Sequence, residues 1–168
     1  MEKEPGEPKA TRPYMPGYGE YATKGKGPMP WSWAAERLTK AHTYFIATVS
    51  PDRRPHVMAV WGIWMDNAFF FCAGPRSRKV RNLAANPRCV VHIEPGEEPV
   101  IMEGTAEEVK DPERRARFIE TYDLKYDWHN WDLENSQAIY MVHPTTAFGI
   151  LENTNDDTES LTRWTFER

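Results

Sequence analysis

Two cysteines are all the chain holds, and that scarcity excludes several classes of protein. Cys72 and Cys89 sit inside apolar, strand-like runs and not in a spaced framework. They read as buried free thiols of an intracellular protein, neither a disulfide nor a metal pair. Long hydrophobic runs are missing too: no stretch approaches bilayer length, and Met1 to Lys9 is charged and lacks the apolar segment of a signal peptide. A cytoplasmic protein with no membrane partner is the expectation. Positive charge is not in excess either; 21 Lys and Arg against 25 Asp and Glu give a formal net charge of -4, which argues against a nucleic-acid partner. No histidines stand at metal-ligand spacing, and neither cysteine has a His-Asp set near it. No metal and no thiolate nucleophile are therefore expected. No internal repeat is visible.

What is present suffices for one packed domain. Across 168 residues, 40% hydrophobic content with 12% aromatics can close a core. Residues 1–30 stand apart, rich in proline and glycine with Tyr14, Tyr18 and Tyr21 between them. They read as an arm without a core of its own, either a disordered terminus or a strap across a domain spanning 31–168.

Trp31 to Ala41 reads as a short helix with Ser32 as its N-cap. The hydrophobic period then changes. Thr43–Ser50, Pro55–Met65 and Ala68–Ala73 read as strands, joined by turn signals at Pro51-Asp52-Arg53-Arg54 and Asp66-Asn67. Connections this short enforce an antiparallel meander. Ser77–Asn86 reads as a helix stopped by Pro87. Strands follow at Arg88–Glu94 and Val100–Val109, around a turn at Pro95-Gly96, and then a helix at Asp111–Tyr122. Asp111 is its N-cap and Pro112 its first residue. Ala138–Val142, Thr146–Leu151 and Leu161–Phe166 close the chain as strands. A mainly β (α+β) chain with a few short helices is expected. Its economical form is an antiparallel barrel with helical crossings, because closure removes exposed strand edges.

The chemistry concentrates in one stretch, Phe69-Phe70-Phe71-Cys72-Ala73-Gly74-Pro75-Arg76-Ser77-Arg78-Lys79-Val80-Arg81-Asn82-Leu83. An apolar strand runs into a Gly-Pro turn, and the turn opens a helix carrying four cations, Arg76, Arg78, Lys79 and Arg81. Serine, cations and backbone N–H groups at a helix N-terminus make an anion site. Converging guanidinium and ammonium groups fit phosphate. The competing reading is a solvated helix face.

The aromatic and titratable residues leave more open. Trp61 and Trp64, three apart on a strand, face opposite sides, one to the core and one to a cleft or subunit interface. Trp31, Trp33, Trp128 and Trp131 suggest an aromatic-lined pocket or, equally for each one singly, core packing or a dimer contact. His56 and His92 lie on strands, while Tyr122, Tyr126, Asp127 and His129 are candidates for substrate contact or proton delivery. No catalytic residue stands out.

Taken in order, the strand Pro55-His56-Val57-Met58-Ala59-Val60-Trp61, the aromatic strand Phe69 to Cys72, and Ser77-Arg78-Lys79…Arg81-Asn82-Leu83…Asn86-Pro87 carry a resemblance. The chain resembles the split β-barrel flavin and deazaflavin oxidoreductases, a family that includes pyridoxamine 5'-phosphate oxidase. The likeness covers roughly Tyr44 to Val109, with echoes in Thr162-Arg163-Trp164-Thr165-Phe166. It implies a split antiparallel barrel. It also implies that His56, Val57, Met58, Ala59, Val60 and Trp61 lie beside a ring cofactor, and that Cys72, Ala73, Ser77, Arg78 and Lys79 hold its phosphate.

Departures narrow the substrate. Pyridoxamine phosphate oxidases carry Thr where this chain has Ala73, Gln where it has Pro99, and a terminal Arg-Leu-His motif absent from Gly149 to Arg168. Trp61, Trp64, Arg81-Asn82-Leu83 and Arg163-Trp164 look more like the deazaflavin-using branch. The resemblance therefore implies hydride transfer between coenzyme F420, with FMN as the alternative, and a small conjugated acceptor. It further implies a homodimer with the site at the subunit interface. The competing possibility is a non-catalytic FMN- or haem-related binding protein on the same fold.

Overall fold

The structure, a computed structural model, describes residues 6–18, 27–94, 98–127, 137–151 and 161–167. The elements are β1 (Lys9–Thr11), α1 (Trp31–Lys40), β2 (Tyr44–Val49), β3 (Pro55–Val60), β4 (Gly62–Met65) and β5 (Ala68–Ala73). They continue as α2 (Arg78–Ala85), β6 (Arg88–Ile93), β7 (Val100–Glu108), α3 (Pro112–Tyr126), β8 (Ala138–Gly149) and β9 (Thr162–Thr165). The expected turn at Pro95-Gly96 lies outside the described residues.

The strand expected over Pro55–Met65 breaks at Trp61. Its first half pairs with β2, in the register Val60↔Tyr44 to Pro55↔Val49. Its other half pairs with β5, Gly62↔Phe71 to Met65↔Ala68. The expected meander is thus split, and β5 takes β8 as its other neighbour. The remaining antiparallel pairs are β8 with β7, β7 with β6 and β6 with β2. Because β3 and β4 are one stretch of chain, these pairings close a ring, and the fold is a split antiparallel barrel. Gly62 makes the change of partner possible. A Cβ there would sit 2.4 Å from the Phe69 ring and 2.6 Å from the Phe70 carbonyl oxygen.

Three further differences have local causes. β8 is one strand of 12 residues where two were expected, because its halves have different neighbours. Ala138–Val142 pairs with β5 and Thr146–Gly149 with β9, and between the two halves Thr145 bulges out of register opposite Glu103 and Gly104 of β7. Ser32 is not the N-cap of α1; Pro30 holds that position without a side-chain cap. Lys9–Thr11, inside the proline-rich arm, forms β1 against β9. Met29 fastens the same arm further on: its N–H donates to Thr162 Oγ1 at 2.8 Å and its carbonyl accepts from Trp164 Nε1 at 3.1 Å.

The core has two parts. Tyr44, Ile46, Phe69, Phe71, Val91, Met102 and Trp164 fill the barrel. Ile63, Phe70, Phe118, Tyr122, Ile139 and Met141 pack between α3 and the outer face of β4, β5 and β8. β5 is therefore covered on both faces, which is why it reads as an unbroken apolar run and not an alternation. Asp66 and Asn67, with φ of 52° and 55°, close the β4–β5 hairpin in the left-handed region such turns demand. Asp111 caps α3 by accepting from the Arg114 N–H at 3.0 Å.

Candidate cofactor site

At the end of β5 the chain turns through Gly74 and Pro75 into α2. The Ser77 N–H donates to the Gly74 carbonyl at 2.9 Å, and the Arg81 N–H to the Ser77 carbonyl at 3.1 Å. Ser77 occupies the N-cap in extended backbone, yet its hydroxyl caps nothing. Its Oγ is buried with no hydrogen-bond partner. The first amides of any helix lack intrahelical acceptors, so buried hydroxyl and free N–H groups meet at one point.

Asn82 fixes that point relative to the sheet. Its buried side chain donates to Thr48 Oγ1 at 3.0 Å, holding α2 against β2. Thr48 pairs with His56 across β2 and β3, which carries His56 toward the start of α2. Desolvation first, then the fields of Arg78 and Lys79, push the His56 imidazole below its ordinary pKa. Lys79 also acts on Cys72, whose thiol is nonetheless raised by burial, with a hydrogen bond to Tyr122 opposing. His56, Cys72, Arg78 and Lys79 therefore share one neighbourhood, with Ser77 opening its helix. Ala73 is buried at the end of β5. Arg76 and Arg81 are both exposed.

From His56 the site follows β3, an end strand of its sheet path that pairs with β2 alone. Val57 is 53% and Met58 47% exposed, Ala59 is exposed, and Val60 turns into the barrel. The outer edge of β3 thus offers main-chain N–H and C=O groups beside apolar side chains.

Trp61 ends this edge, 36% exposed, while Trp64 is buried in the core. The Trp61 ring stacks on Tyr126, centroids 4.8 Å apart and planes 4° from parallel, and His42 meets both rings edge-on. Behind Trp61, α3 grips Gly62. Tyr126 Oη accepts from the Gly62 N–H at 2.9 Å and lies 2.8 Å from the Gly62 carbonyl oxygen and 2.9 Å from that of His42. Lys125 Nζ donates to the Gly62 carbonyl at 3.2 Å, Tyr44 Oη at 2.8 Å and the Thr39 carbonyl at 3.3 Å. Burial lowers its pKa to about 8. Sequence reasoning missed Lys125, because α3 was expected to stop at Tyr122. The signal was Phe118, Tyr122 and Tyr126 at i, i+4 spacing, which extends one buried helix face by a turn.

The outward side of the barrel continues from β3 as a single cross-strand row. Ala59 pairs with Phe45, Phe45 with His92, His92 with Ile101, Ile101 with Phe148, and Phe148 with Arg163. Directly paired residues share a face, so this row is an apolar band with one guanidinium. Phe45 and His92 stack at 5.0 Å, Ile101 is 38% exposed, and Arg163 Nε is buried without a partner.

The other sequence candidates fall elsewhere. Trp31 is core, packed edge-on to Trp64, Trp164 and Phe166. Trp33 stacks on Trp164 beneath the Arg37 guanidinium. Trp128, His129, Trp131 and Tyr21 lie outside the described residues. Among the described residues, no three His, Cys, Asp or Glu side chains gather as a metal set, and no helix is long and apolar enough to cross a membrane.

No curated protein matches the sequence. Among solved structures, an F420 reductase is 25% identical with a TM-score of 0.57, over 67% of this chain and 93% of that one. A conserved hypothetical protein from Mycobacterium tuberculosis is 23% identical with a TM-score of 0.64, over 72% and 84%. A heme binding protein from Mycobacterium smegmatis is 16% identical with a TM-score of 0.63, over 78% and 60%. The last two show the fold alone. The family model for pyridoxamine 5'-phosphate oxidase matches residues 33–150, which include the barrel strands from β2 to β8 and both ends of the candidate site. The chain belongs to the pyridoxamine 5'-phosphate oxidase family.

Proposed function

We propose that this protein is an oxidoreductase that transfers hydride between a reduced ring cofactor and a small conjugated organic acceptor, with coenzyme F420 favoured and FMN the alternative. The observation that carries the reading is the Ser77 hydroxyl, buried and unpartnered at the mouth of α2, beside the cations whose fields meet at His56. An unsatisfied buried hydroxyl costs about 1–3 kcal/mol. A phosphate oxygen accepting from it removes that cost, and the helix amides and cations favour the same anion. Ser77, Arg78 and Lys79 would hold the phosphate, with Cys72 and Ala73 forming the end of β5 beside them. The edge from His56 through Val57, Met58, Ala59 and Val60 to Trp61 would take the ring by main-chain bonds and stacking. When bound, the cofactor supplies the redox chemistry; these residues bind it, orient it and shield it from water. The preference for F420 rests on the likeness to an F420 reductase over 93% of that chain and on Ala73 and Pro99 in place of Thr and Gln.

A homodimer completes the reading. The band Phe45, Ile101 and Phe148 continues through Ala59 to exposed Val57 on the same face of β3, so another copy seated on it would also close over the β3 edge. Incubating the protein with reduced deazaflavin coenzyme, or with reduced FMN, and a panel of quinones, enones and tetrapyrroles tests the activity. Acceptor-dependent oxidation of the coenzyme supports it. Tight binding without turnover of any acceptor moves the protein to the non-catalytic reading. Light scattering tests the dimer, which Ile101→Glu is expected to dissociate.

A further inference from the structure

We propose that Lys125 and Tyr126 form a clamp on Gly62 that positions Trp61 as the stacking wall of the ring site, so that α3 sets ring affinity independently of the phosphate anchor. This rests on the reading that the ring lies along β3.

Between β3 and β4 the chain exchanges one sheet partner for another, and Trp61 stands at the junction of the two ladders. The residue that follows it is held from α3 on both of its polar groups. The Gly62 N–H donates to Tyr126 Oη, and the Gly62 carbonyl accepts from Tyr126 Oη and Lys125 Nζ. The same tyrosine ring then receives the Trp61 indole flat against it. One side chain holds the backbone after Trp61 and the ring of Trp61 together. Lys125 ties this to the barrel interior through Tyr44, whose hydroxyl in turn donates to the Leu38 carbonyl.

The titratable groups around Lys125 are Tyr44 from β2 and Tyr126 from α3, each with its ring near the ammonium, and His42 in the α1–β2 connection against Tyr126. Burial holds both tyrosines in their neutral form well above pH 7. Among the described residues no carboxylate pairs with Lys125. Its ammonium makes three hydrogen bonds, whereas the neutral amine donates only two, and weaker ones. Loss of the proton, which burial brings down to about pH 8, would loosen the clamp and free the Trp61 ring to move.

The test uses the full chain labelled with 5-fluorotryptophan, with the Trp61 resonance assigned through Trp61→Phe. In the wild type that resonance is expected to move with a midpoint near pH 8 and to show no such midpoint in Lys125→Met. Tyr126→Phe, which keeps the stacked ring but drops the hydroxyl, is expected to shift and broaden the resonance in a folded protein. A resonance that stays flat with pH in the wild type, or titrates equally in Lys125→Met, overturns the clamp. In parallel, Lys125→Met is expected to weaken deazaflavin coenzyme binding about tenfold, roughly the net value of one hydrogen bond to a charged group, and to leave inorganic phosphate binding unchanged. Equal loss of both ligands overturns the separation from the phosphate anchor. If the wild type binds neither coenzyme, the cofactor reading fails while the fluorine titration still decides the clamp.

Discussion

Replacing Ser77 by alanine is expected to move stability and ligand affinity in opposite directions. A serine at a helix N-cap normally stabilises by about 1 kcal/mol, through a hydrogen bond to an amide of the first turn. Here that bond is not made, so its loss costs nothing. The hydroxyl is instead buried without a partner, and removing an unsatisfied buried group returns about 1–3 kcal/mol. Part of the gain is offset by the small void left behind, so a net stabilisation of about 1 kcal/mol is expected. In a chain of this size that corresponds to a rise of roughly 2–4 °C in Tm. The same substitution removes a donor from the phosphate and is expected to weaken binding of a phosphate-bearing coenzyme about 5–30-fold, equivalent to about 1–2 kcal/mol. Denaturant unfolding of the ligand-free protein and coenzyme titration together read both effects. Ser77→Ala that destabilises the free protein by about 1 kcal/mol would show an ordinary cap. The hydroxyl would then not be reserved for a ligand.

Other substitutions follow from the same geometry. Gly62→Ala places a Cβ 2.6 Å from the Phe70 carbonyl oxygen. Because that obstacle is backbone, destabilisation at or above the usual overpacking range of about 1–3 kcal/mol is expected in denaturant unfolding; a neutral effect would contradict the tight crossing at the break. Asn82→Ala leaves the buried Thr48 hydroxyl without its donor and is expected to cost about 1–3 kcal/mol, with the His56 NMR titration shifting upward as α2 loosens. Lys125 carries a pKa of about 8 in the folded chain against an ordinary 10.5. Between those values the unfolded chain holds a proton the native chain has released, so the stability Lys125 contributes rises with pH across that window. The difference in unfolding free energy between wild type and Lys125→Met is expected to increase from about pH 7 to about pH 10. A decrease would refute the buried ammonium.

Local patterns in the sequence were enough for most of the barrel, and the misses share one cause. β2, β5, β6, β7 and α2 were legible because each has a single environment along its length, so its period is uniform. β3–β4 and β8 change partners midway. Pattern alone does not say which strand lies alongside, so Pro55–Met65 reads as one continuous strand and Ala138–Gly149 as an interrupted one. β1 is three residues in a proline-rich arm, held by pairing to β9 that no local signal announces. At the site, Ser77 and Lys79 stood out because strand, turn and cations are contiguous. Lys125 did not, since its role depends on contacts to Gly62 and Tyr44, more than sixty residues away in the chain.

Titrating the purified protein with the deazaflavin coenzyme and with FMN, and repeating both titrations on Lys79→Ala, tests the central claim most directly. The account predicts saturable binding of the deazaflavin, weakened in Lys79→Ala by about 1–3 kcal/mol because a charge-assisted contact to phosphate is lost. Tight FMN binding with no deazaflavin binding would contradict the preferred cofactor. A dissociation constant unchanged in Lys79→Ala would contradict the phosphate anchor itself and return the basic run of α2 to a solvated helix face.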